Sequence, residues 1–110
     1  MAKYYNYLID KKIYNINSVD IYNRTAITYA IEFKNIEYCK ILLEQKCDIY
    51  NIDKFNCNIF HYLCIQDNVY ENNLFFSQIW KYLKNQKNID SMLLHKNIKQ
   101  YSPIEYLLNK

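Results

Sequence analysis

A pattern that begins at Asp20 begins again at Asp53, 33 positions later, and this restart constrains the fold more than any other feature of the chain. The first copy, Asp20 to Asp48, reads DIYNRTAITYAIEFKNIEYCKILLEQKCD. A polar turn leads to Thr25, and a short apolar run predicts a helix from about Ala26 to Phe33. Lys34-Asn35 breaks it. A second helix follows from Glu37 to Gln45, with Tyr38, Ile41, Leu42 and Gln45 on one stripe at helical spacing. Thr25 is placed to cap the first helix, its hydroxyl accepting from a backbone amide that has no partner within the helix.

The second copy reads DKFNCNIFHYLCIQ: Asp53 echoes Asp20, Asn56 echoes Asn23, Ile59-Phe60 echoes Ala26-Ile27 and Leu63 echoes Ala30. A third, partial copy, NIKQYSPIEYLL, puts Ser102 at an N-cap and Pro103 at the first helical position. Upstream, LIDKKIYNINSVD reads as the end of a preceding second helix and the turn that follows it. A helix–turn–helix unit cannot bury its apolar face alone, so units recurring in sequence build their core by stacking. The expectation is an all-α chain of a half unit, two whole ones and another half.

The unit resembles the ankyrin repeat, which runs D-x-x-G-x-T-P-L-H-x-A-A, a short break, then a helix ending L-L-L-E-x-G-A-D-V-N. Asp20, Thr25, Ile27, Ala30, Glu37, Leu42, Leu43, Glu44, Asp48 and Ile49 fit that unit without a gap. The second copy contributes Asp53, Phe60 and His61, and the third Ser102, Pro103, Ile104 and Glu105. The resemblance covers nearly the whole chain. It implies an ankyrin-like solenoid with short hairpin-like turns and about three repeats. The divisions are an N-terminal half-repeat over 1–19, a repeat over 20–52, an expanded repeat over 53–96 and a C-terminal half-repeat over 97–110.

The departures are as informative. The chain has no glycine. Asn23 and Asn56 stand where the turn wants a residue that tolerates positive φ, and asparagine is the best substitute. Lys46, just past the second helix, is a poorer one and costs about 1 kcal/mol relative to glycine. The second copy is stretched by a polar loop, Asp67 to Asn73, before a helix around Leu74–Lys84, and by the connection Asn85–Ser91. Such insertions are either functional loops or tolerated ones. Tyr4, Tyr5 and Tyr7 at one end, and Tyr106, Leu107 and Leu108 at the other, are only partly polar. They serve as imperfect caps, continue into a longer array, or pair with a partner.

Composition excludes several classes. A chain of 110 residues, 51% hydrophobic and 23% charged, is one folded domain. Its net charge of +3 is small, its lysines are scattered, and Arg24 is the only arginine, so no footprint for nucleic acid exists. No stretch approaches 18 apolar residues, so no span of a membrane is expected, and the N-terminus lacks the features of a secretory signal. Four cysteines without a signal read as reduced thiols of a cytoplasmic protein. The abundance of Asn, Lys, Ile and Tyr fits an AT-rich coding genome, such as those of large DNA viruses, some intracellular bacteria and some protozoa.

Cys57, His61 and Cys64 are the sharpest candidates for metal or nucleophilic chemistry, but no fourth ligand has suitable spacing and His95 lies in another turn. The resemblance implies instead that His61 braces the turns by hydrogen bonding, and Cys39, Cys47 and Cys64 read as small buried hydrophobes. Catalysis would need a base, an orienting group and a pocket, and no phosphate-cradling loop forms without glycine. The expectation is no enzyme, no metal and no cofactor. Trp80 reads as packing on the second helix of the expanded repeat.

The resemblance implies a binding face built from the turn tips and the exposed side of each first helix. By register the partner-binding residues are Ile21, Tyr22, Arg24, Phe33, Lys54, Phe55, Ile65, Gln66, Lys99 and Tyr101. Many are apolar, and an exposed apolar stripe usually means a partner, unless the side chains fold back onto a neighbouring repeat. The expected function is to hold another protein, its identity unwritten in the sequence, as a monomer or with weak self-association. If the source is viral, the expected setting is the host cytoplasm. The alternative is a structural remnant or terminal piece of a longer array that self-associates.

Overall fold

The computed structural model describes residues 15–66 and 74–108, and among them the chain forms six helices and no strand. They are α1 (Ala26–Glu32), α2 (Ile36–Glu44), α3 (Ile59–Gln66), α4 (Leu74–Leu83), α5 (Ile89–Leu94) and α6 (Pro103–Leu108). Tyr4, Tyr5, Tyr7, most of the expected N-terminal half-unit and the loop Asp67 to Asn73 lie outside the described residues.

In α1, Ile27, Thr28, Ala30 and Ile31 are buried, the spacing of one helical face. Thr25 holds the extended N-cap conformation, but its hydroxyl lies 3.3 Å from that of Thr28 and caps no amide, contrary to expectation. Side-chain capping of the kind expected there is made at other helix starts. The Asn35 side chain accepts from the Tyr38 amide at 3.1 Å to open α2. At α6, the Ser102 hydroxyl accepts from the Glu105 amide and the Glu105 carboxylate accepts from the Ser102 amide, each at 3.3 Å, a closed capping box. The buried stripe of α2 is Tyr38, Cys39 and Leu42, whereas Gln45 is exposed and Ile41 only partly covered.

Both α1 and α2 end in the same device. After α1 the Lys34 and Asn35 amides donate to the carbonyls of Ile31 and Ala30, and after α2 those of Lys46 and Cys47 donate to Leu43 and Leu42. These are Schellman closures, which demand a left-handed residue, and Lys34 (φ 55°) and Lys46 (φ 59°) supply it without glycine. Asn23 and Asn56 are left-handed as expected, and Asn88 and Gln100 join them.

The short helices α1, α3 and α6 pack in a row, with α2 against α1 and α4, and α4 against α3. Ile27, Ile31, Leu42, Phe60, Leu63, Ile79 and Leu83 meet between them and are almost wholly buried. Trp80 packs its edge on Phe60 at 6.2 Å and stacks on Phe76, a core role as expected. The connection after α4 is not a plain link. Ile89 and Met92 are buried and drive the extra helix α5, which braces α3 and α6. The Cα radius of gyration, 13.8 Å, is near the ~13 Å of a compact globule of this length. None of the described helices is long and apolar enough to cross a membrane.

The left-handed residues divide into two kinds. Lys46 only suffers its conformation, whereas Asn56 also donates its side-chain amide to the Lys96 carbonyl at 2.8 Å. Replacing Lys46 with glycine is expected to stabilise the chain by about 0.5–1 kcal/mol, the left-handed penalty less the added freedom of the unfolded chain. Asn56→Gly should instead destabilise by about 1 kcal/mol through the lost hydrogen bond. Urea denaturation of both variants checks the opposite signs, and two shifts of the same sign would refute the distinction.

Candidate functional site

Three turns carry the face, and one pattern of hydrogen bonds builds all three. The side-chain oxygen of Asp20 accepts from the amides of Tyr22 and Arg24, that of Asp53 from Phe55 and Cys57, and that of Asn97 from Lys99 and Tyr101. The backbone amide of each leading residue donates to the carbonyl four positions on, to Arg24, Cys57 and Tyr101. The left-handed residue, Asn23, Asn56 or Gln100, closes the turn by donating to the leading carbonyl. Nine positions after each leading residue a tyrosine on the following helix returns to it. Tyr29 and Tyr62 donate their hydroxyls to Asp20 and Asp53, and the Asn97 amide donates to the Tyr106 hydroxyl at 2.9 Å.

The turns are joined edge to edge. The Lys54 amide donates to the Tyr22 carbonyl and the Ile98 amide to the Phe55 carbonyl, both at 3.0 Å. Asn23 reaches across to the Ile52 carbonyl at 2.7 Å, as Asn56 does to Lys96. His61, wholly buried in α3, ties the second and third turns. Its Nδ1 accepts from the Asn58 amide at 3.0 Å, so Nε2 carries the proton and donates to the Tyr101 carbonyl, also at 3.0 Å. The bracing role implied for this residue is what its geometry performs. Both ring nitrogens are spent, and no group of three or more potential ligands stands together among the described residues. His95, expected in a separate turn, brings its ring edge-on to His61 at 6.3 Å. Burial pushes the Cys39 and Cys47 thiols up to about 12 and raises that of Cys57, which keeps them protonated and inert at neutral pH.

The expected binding residues do not share one fate. Ile21 is 73% exposed at the first tip, and Tyr22 and Phe55, at 45% and 39%, stack their rings at 6.4 Å across the first and second. Lys54 and Lys99 are exposed on the second and third tips, and Tyr101 leans on Tyr106 at 5.4 Å while keeping one side in solvent. Phe33, 74% exposed, closes α1, and Ile65 is exposed near the end of α3. Gln66 ends α3 with its side chain outside the description. Ile98, a tip position of the third copy by the same register, is exposed beside Phe55 and Lys99 and belongs with the ridge.

Arg24 differs from the other expected residues. Its guanidinium turns inward, donating from Nε to Asp53 at 3.3 Å and from Nη2 to the Tyr62 hydroxyl at 2.7 Å, with Glu32 at 3.6 Å. The rings of Tyr22, Tyr29, Phe55 and Tyr62 surround it at 5.0–5.8 Å. It is therefore a structural cation under the ridge. Beside it a cleft of about 270 Å³ opens between the second and third turns, bounded by Arg24, Phe55, Tyr62, Ile98 and Lys99. A larger cavity, about 600 Å³, lies by the ends of α2 and α4 near Lys46, Tyr50 and Tyr82, and no expected site residue lines it.

Burial lowers the pKa of His61 below its usual value. The unfolded chain then takes up a proton that the folded one resists, so this stability is present above the unfolded pKa of about 6.5 and is lost as pH falls through the folded value. Stability, followed by melting temperature, should drop between pH 7 and pH 5, the unfolding free energy losing at most about 1.4 kcal/mol per pH unit from this residue. His61→Gln, less stable at pH 7, should show a flatter decline, and an equally steep one would refute the assignment. Neither a scan of protein-family models nor a search of curated proteins returns a match to this chain.

Proposed function

We propose that the chain is a protein-interaction module, a short stack of degenerate, glycine-free ankyrin-like repeats that docks a partner protein on its turn tips. The recurrence of the leading Asp or Asn, the left-handed residue and the returning tyrosine supports the repeat reading, in agreement with the spacing of the sequence copies. The observation that carries the function is the ridge itself. Ile21, Tyr22, Phe55 and Ile98 display apolar side chains from three joined turns. Contiguous apolar surface of this sort, rimmed here by Lys54 and Lys99, is what protein partners cover. The partner is a cognate protein or, for a viral or microbial source, a host protein of the cytoplasm.

A second reading, a terminal piece of a longer array that self-associates, draws on the other exposed side chains. Leu94 and Leu108, 64% and 76% exposed, lie on α5 and α6 at the end of the helix row. The two readings separate cleanly. Affinity capture with Tyr22→Ala/Phe55→Ala should lose the partner recovered by the wild type, since truncating two aromatic anchors costs about 2 kcal/mol or more each. Unchanged recovery would sink the ridge. Light scattering over a concentration series should find a monomer, and mass that grows with concentration and reverts with Leu108→Ser would favour self-association instead.

A further inference from the structure

The cleft between the second and third turns has a chemistry of its own. Two cations, Arg24 and Lys99, line it, and no carboxylate does. Arg24 donates to Asp53 and Tyr62 and lies 3.6 Å from the Glu32 carboxylate, so its charge is already met by two acids. Lys99 engages its backbone amide in the turn, while its ammonium has no partner among the described residues. Lys54 and Lys96, on the same two turns, likewise form no ion pair there. The turns' one carboxylate, Asp53, is buried and already matched to Arg24. The walls, Phe55 and Ile98, are apolar, and the volume suits one or two side chains.

We propose that this cleft receives a carboxylate side chain from an acidic, extended segment of the partner, with the Lys99 ammonium as its counter-charge. Phe55 and Ile98 grip the apolar residue beside it, and Lys54 and Lys96 steer the segment in. The assignment rests on the turn tips being the docking face and adds the kind of partner that fits there. Arg24, held by two carboxylates and four rings, gives the cleft a fixed inner wall. A mobile lysine at the rim supplies on-rate and salt sensitivity.

The test is a random-peptide library displayed on phage and selected on the intact chain. Peptides carrying Asp or Glu next to Leu, Ile or Phe should be enriched. Synthetic fluorescent copies should bind about tenfold or more weakly to Lys99→Glu, and more weakly again as salt rises. Lys84→Glu, the same charge change just past α4 and outside the cleft, should leave their affinity unchanged. Lys99 is exposed, so the variant should fold, which a thermal melt verifies. Enriched peptides that are neutral or basic, lost with Tyr22→Ala/Phe55→Ala but indifferent to Lys99→Glu, would overturn the acidic cleft and leave the ridge standing. Failure to enrich any peptide sensitive to either change would overturn both.

Discussion

One carboxylate holds the first two turns and α3 together. The Asp53 side chain, 1% exposed, accepts from the amides of Phe55 and Cys57 through one oxygen and from Tyr62 and Arg24 through the other. The first two bonds shape the second turn, the third pins that turn to α3, and the fourth reaches back to the first turn. Burying an unpaired carboxylate costs several kcal/mol, and a partly satisfied one is little better. Here every bond is made, and the guanidinium beside it is fixed in return. The exposed rings of Tyr22 and Phe55 stack on each other across the same two turns.

The equivalent positions show why the charge is where it is. Asp20, at the first turn, is exposed, and the Tyr29 hydroxyl together with turn amides holds its carboxyl below the usual range. Water can solvate it, so no cation is required. Asn97, at the third, is buried with no guanidinium opposite. A carboxylate there would be uncompensated, and the amide meets the need without charge. Its oxygen takes the same two turn amides, and its nitrogen donates to the Tyr106 hydroxyl where Tyr62 donates to Asp53. The direction of one hydrogen bond reverses and the turn survives.

What was legible in the sequence is what is decided locally. The break at Lys34-Asn35, the left-handed Asn23, Asn56 and Lys46, and the cap at Ser102 each depend on a few consecutive residues. The features that escaped depend on what another segment brings. Helix α5 forms because α3 and α6 offer cover for Ile89 and Met92, which no periodicity within six residues announces. Arg24 reads as a tip residue until Asp53 and Tyr62, 29 and 38 positions away, claim it. Thr25 was placed correctly and assigned the wrong bond, because Thr28 competes for its hydroxyl.

The division of labour within each turn bears on function. Position one supplies the bracing side chain, position four the left-handed backbone, and the tyrosine nine residues on the return contact. In the first two turns the asparagine at position four does more than glycine could, since its amide also bridges to the next segment. Positions two and three give the turn's hydrogen bonds only their backbone, while the Tyr22 and Phe55 rings also stack on each other and flank Arg24. Those positions hold Ile21, Tyr22, Lys54, Phe55, Ile98 and Lys99. An AT-rich genome supplies asparagine and lysine there as readily as isoleucine and tyrosine, and either polar residue would keep the tip soluble. Apolar side chains fill four of these six positions, and Ile21 and Ile98, 73% and 59% exposed, are the two that the proposed partner surface would account for.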